Sequence, residues 1–199
     1  MSKIAIIDGG GANIASLLFA FERLGRNAEL TTDAAVIESA DRVLLPGVGA
    51  AKDAMQRLAA ADLIDVIRAL RQPVLGICLG MQLLLDGSEE EDVECLGIIP
   101  GIAARLPATP SCPVPNMGWC RTTMTRDHSL LNDIEDGSYF YYLHSSALPV
   151  SDYSLATAEH ADPFSAVVGR DNFVAAQFHP ERSSVAGAQL LRNFLAESV

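Results

Sequence analysis

The chain predicts an α/β fold: a mostly parallel open sheet with helices on both faces and a small antiparallel strand region in the second half. Three observations lead there. Short apolar runs at residues 3–8, 28–32, 42–45 and 74–77 alternate with stretches whose apolar residues recur at helical spacing, the order of a parallel sheet covered by helices. From residue 139 apolar runs follow one another without a helical stretch between them, as antiparallel strands do. With 199 residues, 49% of them hydrophobic, and a mean hydropathy of +0.22, the chain can bury a sizeable sheet as one domain spanning residues 1–199.

Lys3 to Asp8 reads as a buried first strand. Gly9-Gly10-Gly11-Ala12-Asn13 turns into a helix with Ile14, Leu17, Leu18, Phe21 and Leu24 on one face, ended by Gly25. No Gly-x-Gly-x-x-Gly is completed there, which argues against a dinucleotide site. Ala28 to Thr32 and Arg42 to Leu45 are the next strands. The second runs into Pro46-Gly47-Val48-Gly49, where paired glycines let backbone N–H groups point into a site. Ala50 to Leu70 reads as two helical pieces broken near Ala61-Asp62, with Asp62 expected to cap the second. Val74 to Ile77 is a short buried strand, and Leu79 to Leu85 starts a helix.

Ser88 to Glu94 reads as a solvated acidic loop. Leu96 to Ile99 and Ile102 to Leu106 are hairpin-like. Pro107 to Pro115 is a proline-rich loop that Asn116 to Cys120 is expected to end. Strands follow at 139–143, 154–159, 166–168 and 173–178. Ser183 to Glu197 closes the chain as a helix, with Val185, Leu190, Leu191, Phe194 and Leu195 on its apolar face.

The formal charge of −11 disfavours nucleic acid and anionic membrane surfaces as partners. Cys78, Cys95, Cys112 and Cys120 form no Cys-x-x-Cys pair and have no histidine at zinc-finger spacing, so no metal is expected. The apolar start meets Asp8 after four residues, too few for a signal-peptide core, and no run reaches membrane-span length. The expectation is a reduced, cytoplasmic chain.

Gly76-Ile77-Cys78-Leu79-Gly80 is a nucleophile-elbow pattern with sulfur in place of oxygen. The strand-to-helix turn leaves little room beside the nucleophile, and the helix N-terminus favours thiolate. A buried structural cysteine beside a glycine turn gives the same local pattern. Phe178-His179-Pro180-Glu181 follows the strongest late strand and supplies what a cysteine nucleophile needs, a base and a carboxylate to orient it. Asp8, Gly47 to Gly49 and Cys78 all fall at the carboxyl ends of predicted strands, where ligands of such sheets collect.

These stretches, with Ser88-Glu89-Glu90, Met117-Gly118-Trp119, His144-Ser145 and Gln177 before Phe178, resemble the class I (triad) glutamine amidotransferase family over nearly the whole chain. Within it, Pro-Gly-Val-Gly and Gly80-Met81-Gln82 are similar to the glutaminase subunits of imidazole glycerol phosphate synthases, which serve histidine biosynthesis. The resemblance implies a flavodoxin-like sheet and a glutaminase without a cofactor. Cys78 would be the nucleophile, His179 the acid/base and Glu181 its orienting partner. The N–H of Leu79 and one from Gly47, Val48 or Gly49 would form the oxyanion hole. Gln82 and Ser145 would hold L-glutamine. Asn13 and Trp119 would lie near a (β/α)8-barrel synthase subunit in a heterodimer that consumes the ammonia. The chain departs from the family pattern at Gly9, Ala12, Glu91, Asn116, Cys120 and Ser146, several of them where the family docks its partner. A glutaminase feeding a sugar-modifying or anthranilate-type synthase, a non-catalytic scaffold, and a cysteine peptidase or γ-glutamyl hydrolase on the same fold are the alternatives.

Overall fold

The computed structural model describes residues 3–10 and 14–196. Its elements in order are β1 (Ile4–Ile7), α1 (Ile14–Arg23), β2 (Ala28–Thr31), α2 (Ala34–Glu38), β3 (Arg42–Gly47), α3 (Ala51–Ala60), α4 (Ile64–Ala69), β4 (Val74–Cys78) and α5 (Leu79–Leu83). There follow β5 (Gly87–Ser88), β6 (Val93–Glu94), β7 (Ile102–Arg105), β8 (Asn116–Met124), β9 (Tyr139–His144), β10 (Ser146–Ala147), β11 (Ser154–His160), β12 (Asp162–Arg170), β13 (Phe173–Ala176) and α6 (Ser184–Ala196). Single 3-10 turns occupy Ser129–Leu131 and Pro180–Arg182.

One sheet of nine strands runs β2-β1-β3-β4-β13-β12-β11-β8-β9. The first five are parallel and the rest antiparallel, so the antiparallel part is a four-strand extension, wider than its short apolar runs suggest. Period-two alternation divides the core between the two faces. Ile4, Ile6 and Ile77 pack with Leu17 and Phe21 of α1 and with Leu190, Leu191 and Phe194 of α6. Ala5, Ile7, Val43 and Leu45 pack on the other face with Ala54 and Leu58 of α3 and with Ile67 of α4. Strands buried on both faces read as the continuous apolar runs seen in β1 and β4. A separate four-stranded sheet, β10-β7-β5-β6, lies beside them.

Several local expectations change. Asp62 does not cap α4, because Leu63 occupies the N-cap without a side-chain bond; Asp62 instead takes φ 56° in the turn that separates α3 from α4. Leu96 to Ile99 is not a strand, and the hairpin of this region is β5 with β6 across the acidic turn. Asn116 to Cys120 is the start of the nine-residue β8 rather than the end of a loop. Its glycine and the preceding prolines mask an alternation that is plain once buried Asn116 and Thr122 are set against exposed Met117 and Trp119. Val185 is 76% exposed and leaves the apolar face of α6 to Gly187, Leu190, Leu191 and Phe194.

The parallel ladder sets the position of the site. Gly47 of β3 pairs with Cys78 of β4. Ile77 pairs with Ala176 of β13, so the residues after each, Cys78 and Gln177, leave the sheet side by side. The carboxyl ends of β3, β4 and β13 therefore converge on one sulfur.

Candidate active site

Strand β4 passes into α5 with no residue between, and Cys78 is the pivot, at φ 54° and ψ −109°. A non-glycine residue in that region costs on the order of 1–3 kcal/mol. The fold around it leaves no alternative. A Cβ on Gly80 would stand 1.7 Å from the carbonyl oxygen of Leu45, and one on Gly76 would meet Leu84 and Ala175 at 2.9 and 3.0 Å. The turn can be this tight only if both flanking positions lack a side chain.

His179 follows β13 and opens the 3-10 turn. Its N–H donates to the Tyr141 carbonyl at 2.9 Å, and its own carbonyl accepts from the Ser183 hydroxyl at 2.7 Å. The ring Nδ1 lies 2.9 Å from Glu181 Oε1, and both side chains are almost wholly buried. A carboxylate accepts, so Nδ1 carries the proton and the other ring nitrogen is left for Cys78, which borders the same cleft and whose Sγ donates to the Leu143 carbonyl at 3.5 Å. Burial opposes charge on this imidazole. The hydrogen bonds to Cys78 and Glu181, with their negative charge, outweigh it and push the pKa up to about 10. The pair of neighbours thus favours the imidazolium that forms when His179 takes a proton.

Cys78 borders a cleft of about 410 Å³ whose walls also include Val48, Gly49, Leu79, Gln82 and Ser145. Leu79 is the first residue of α5, where a backbone N–H has no partner within the helix. Gly49 takes φ 93°, a conformation that turns the loop after β3 toward the cleft at no steric cost for glycine. Gly47 behaves differently. It does not line this cleft, and a Cβ there would lie 2.9 Å from that of Leu79, so it permits the close approach of β3 to the elbow. Gln82 is buried, and its Nε2 is bonded inward to the Ser146 carbonyl at 2.9 Å and to Gln177 Oε1 at 3.2 Å.

Trp119 lies away from the cleft on the outer face of β8, half exposed, with its ring edge-on to Tyr141. Ala12 and Asn13 lie outside the described residues. Of the departures from the family pattern, Asn116 and Ser146 are buried, and Ser146 lines the cleft. Sequence reasoning missed three groups. Glu90, read as part of a solvated loop, and Arg182 both line the cleft. Gln177 donates from Nε2 to Cys78 Sγ at 3.8 Å. Its signal was its place directly after the strand and two residues before His179.

All four cysteines are free. Among the described residues, no group of three or more His, Cys, Asp or Glu could hold a metal ion, and no helix is long and apolar enough to cross a membrane.

The model of the family described as glutamine amidotransferase class-I matches residues 5–198. The chain is 48% identical to the imidazole glycerol phosphate synthase subunit HisH of Xanthomonas axonopodis pv. citri, over 100% of this chain and 99% of that one. It is 49% identical to the protein of the same name from Pasteurella multocida, over 98% of each. Among solved structures it resembles a glutamine amidotransferase of Thermotoga maritima, with TM-score 0.68 and 16% identity over 98% of this chain and 96% of that one. It also resembles PurLQS of the same organism, with TM-score 0.70 and 18% identity over 98% of this chain and 99% of that one. The two structural likenesses concern the fold alone. The extended sequence matches go further, and the chain belongs to the class-I glutamine amidotransferase family.

Proposed function

We propose that this protein is the glutaminase subunit of an imidazole glycerol phosphate synthase in histidine biosynthesis, a single domain that hydrolyses L-glutamine to glutamate and ammonia. The observation that carries the chemistry is the alignment of three groups: Cys78 on a strained elbow, His179 on the same cleft, and Glu181 Oε1 2.9 Å from Nδ1 of His179. Full-length identity of about half to HisH proteins of that synthase carries the pathway.

Cys78 passes its proton to His179 and attacks the side-chain carbonyl carbon of glutamine. The oxyanion is held by the Leu79 N–H and an N–H of the Val48-Gly49 peptide region. One such donor is worth about 3 kcal/mol in the transition state. His179 returns the proton to the departing nitrogen, ammonia leaves, and a glutamyl thioester remains. Water, deprotonated by His179, then releases glutamate and restores the thiol. Glu181 holds the ring orientation throughout. The cleft carries one carboxylate and one guanidinium, of Glu90 and Arg182, suited to the α-ammonium and α-carboxylate of an amino acid. Gln82 and Ser145 border the same space.

Ammonia protonates in water, so its use calls for a sheltered exit. The outer face of β8 and β9 beside the triad displays Met117, Trp119, Tyr139 and Leu143. This apolar patch suits a (β/α)8-barrel synthase partner, the two chains forming a cytoplasmic heterodimer. Cys78→Ala should reduce glutamate release to background while leaving the circular dichroism spectrum unchanged. Full turnover in that variant would overturn the assignment.

A further inference from the structure

Five side chains and one backbone carbonyl form a continuous chain of hydrogen bonds from β8 to the reacting sulfur. Cys120 Sγ donates to Asn116 Oδ1 at 3.4 Å. Asn116 Nδ2 lies 3.1 Å from His144 Nε2, and His144 Nδ1 lies 3.0 Å from the Ser146 carbonyl oxygen. The same oxygen accepts from Gln82 Nε2 at 2.9 Å. Gln82 Nε2 reaches Gln177 Oε1 at 3.2 Å, and Gln177 Nε2 reaches Cys78 Sγ at 3.8 Å. Asn116, His144, Gln82 and Gln177 are all buried, Gln177 completely.

The polarity of every link follows from that one carbonyl, which can only accept. It fixes the nitrogen end of Gln82 toward itself, the second N–H of that amide toward Gln177 Oε1, and hence the nitrogen end of Gln177 toward Cys78. In the other direction it requires the proton of His144 on Nδ1. Nε2 is then an acceptor for the Asn116 amide, and Asn116 Oδ1 is left to accept from Cys120. A second proton on His144 would set two donors face to face, and burial accordingly lowers its pKa to about 4. Burial also pushes the Cys120 thiol up, which keeps it a donor.

We propose that Gln177 is a further catalytic residue, a donor that holds negative charge on the Cys78 sulfur, and that Gln82 is the positioning residue that keeps its amide turned that way. This rests on Cys78 being the nucleophile. A hydrogen bond to the charged form of a group favours that form. The fixed orientation matters because the opposite face of the Gln177 amide would place an oxygen against the thiolate. The other titratable or charged groups about the sulfur are His179, with Glu181 behind it, His144, and Glu90 and Arg182 across the cleft. None of these supplies a neutral N–H donor fixed on the sulfur, as Gln177 does.

The test is the pH dependence of Cys78 alkylation by iodoacetamide, followed by mass spectrometry in the full chain. It needs neither glutamine nor turnover, so it can fail while the glutaminase assignment stands. Gln177→Leu should move the midpoint up by about one pH unit. Gln82→Leu removes the donor to Gln177 Oε1 and should give a smaller upward shift at Cys78. A folded Gln177→Leu protein with the wild-type profile would overturn the role of Gln177. Should that variant not fold, Gln177→Glu keeps the shape, and an unmoved profile there would overturn it equally. A folded Gln82→Leu protein with the wild-type Cys78 profile would overturn the positioning role of Gln82.

Discussion

Burial lowers the pKa of His144, opposed by its bond to the Ser146 carbonyl and reinforced by the charges of His160 and His179. The unfolded chain has the ordinary histidine value near 6.5, so between that pH and about 4 it binds a proton that the folded chain does not. The stability His144 contributes is present above pH 6.5 and is lost as pH falls through 4. From pH 7 to pH 4 the native protein should lose roughly 3 kcal/mol more than His144→Gln, measured by urea unfolding at the two pH values. Parallel losses would contradict this. For His179 the sign reverses. Its folded value is raised, so its contribution is complete below the unfolded value and fades as pH rises through about 10. The nucleophile, the base and its carboxylate were legible because each sits in a short local pattern, the elbow and His-Pro-Glu. Glu90 and Arg182 were not. Which loop folds over a cleft is decided by the long-range packing of β5 to β7 and of the turn after His179.

At the scale of elements, the elbow depends on three strands arriving in register with glycine at the contact points. Gly80→Ala would drive a methyl group into the Leu45 carbonyl, a backbone atom that cannot swing aside. The substitution should cost about 3 kcal/mol or more, read as a drop in the urea midpoint. Wild-type stability in that variant would mean that the turn is looser than described. The parallel strands were plain in the sequence because burial on both faces writes unbroken apolar runs, as in Ile4 to Ile7 and Val74 to Ile77. Strand β8 was obscured because only one side of it is buried, and Gly118, Trp119 and Arg121 break the apolar alternation. The same half-burial hides the inward face of β8, where Cys120 bonds to Asn116.

For the molecule as a whole, one half of the sheet assembles the chemistry and the other half presents an exposed face beside it. Tyr141 joins the two, since its carbonyl holds the N–H of His179 while its ring carries the Arg182 guanidinium at 4.4 Å and the edge of Trp119. Trp119→Ala should weaken binding of the barrel synthase by about 30-fold, as truncation of a hot-spot aromatic of about 2 kcal/mol does. The stability of the isolated chain should change little, because the side chain is half exposed. Unchanged affinity by calorimetry would place the interface elsewhere. One assay tests whether the chain is a triad glutaminase serving an imidazole glycerol phosphate synthase. Glutamate release from L-glutamine is measured for the purified chain alone, then with the barrel synthase carrying its nucleotide ligand. Release should be slow for the chain alone and strongly stimulated by the liganded partner, and Cys78→Ala should abolish it. Release indifferent to the partner, or surviving the loss of Cys78, would contradict the assignment.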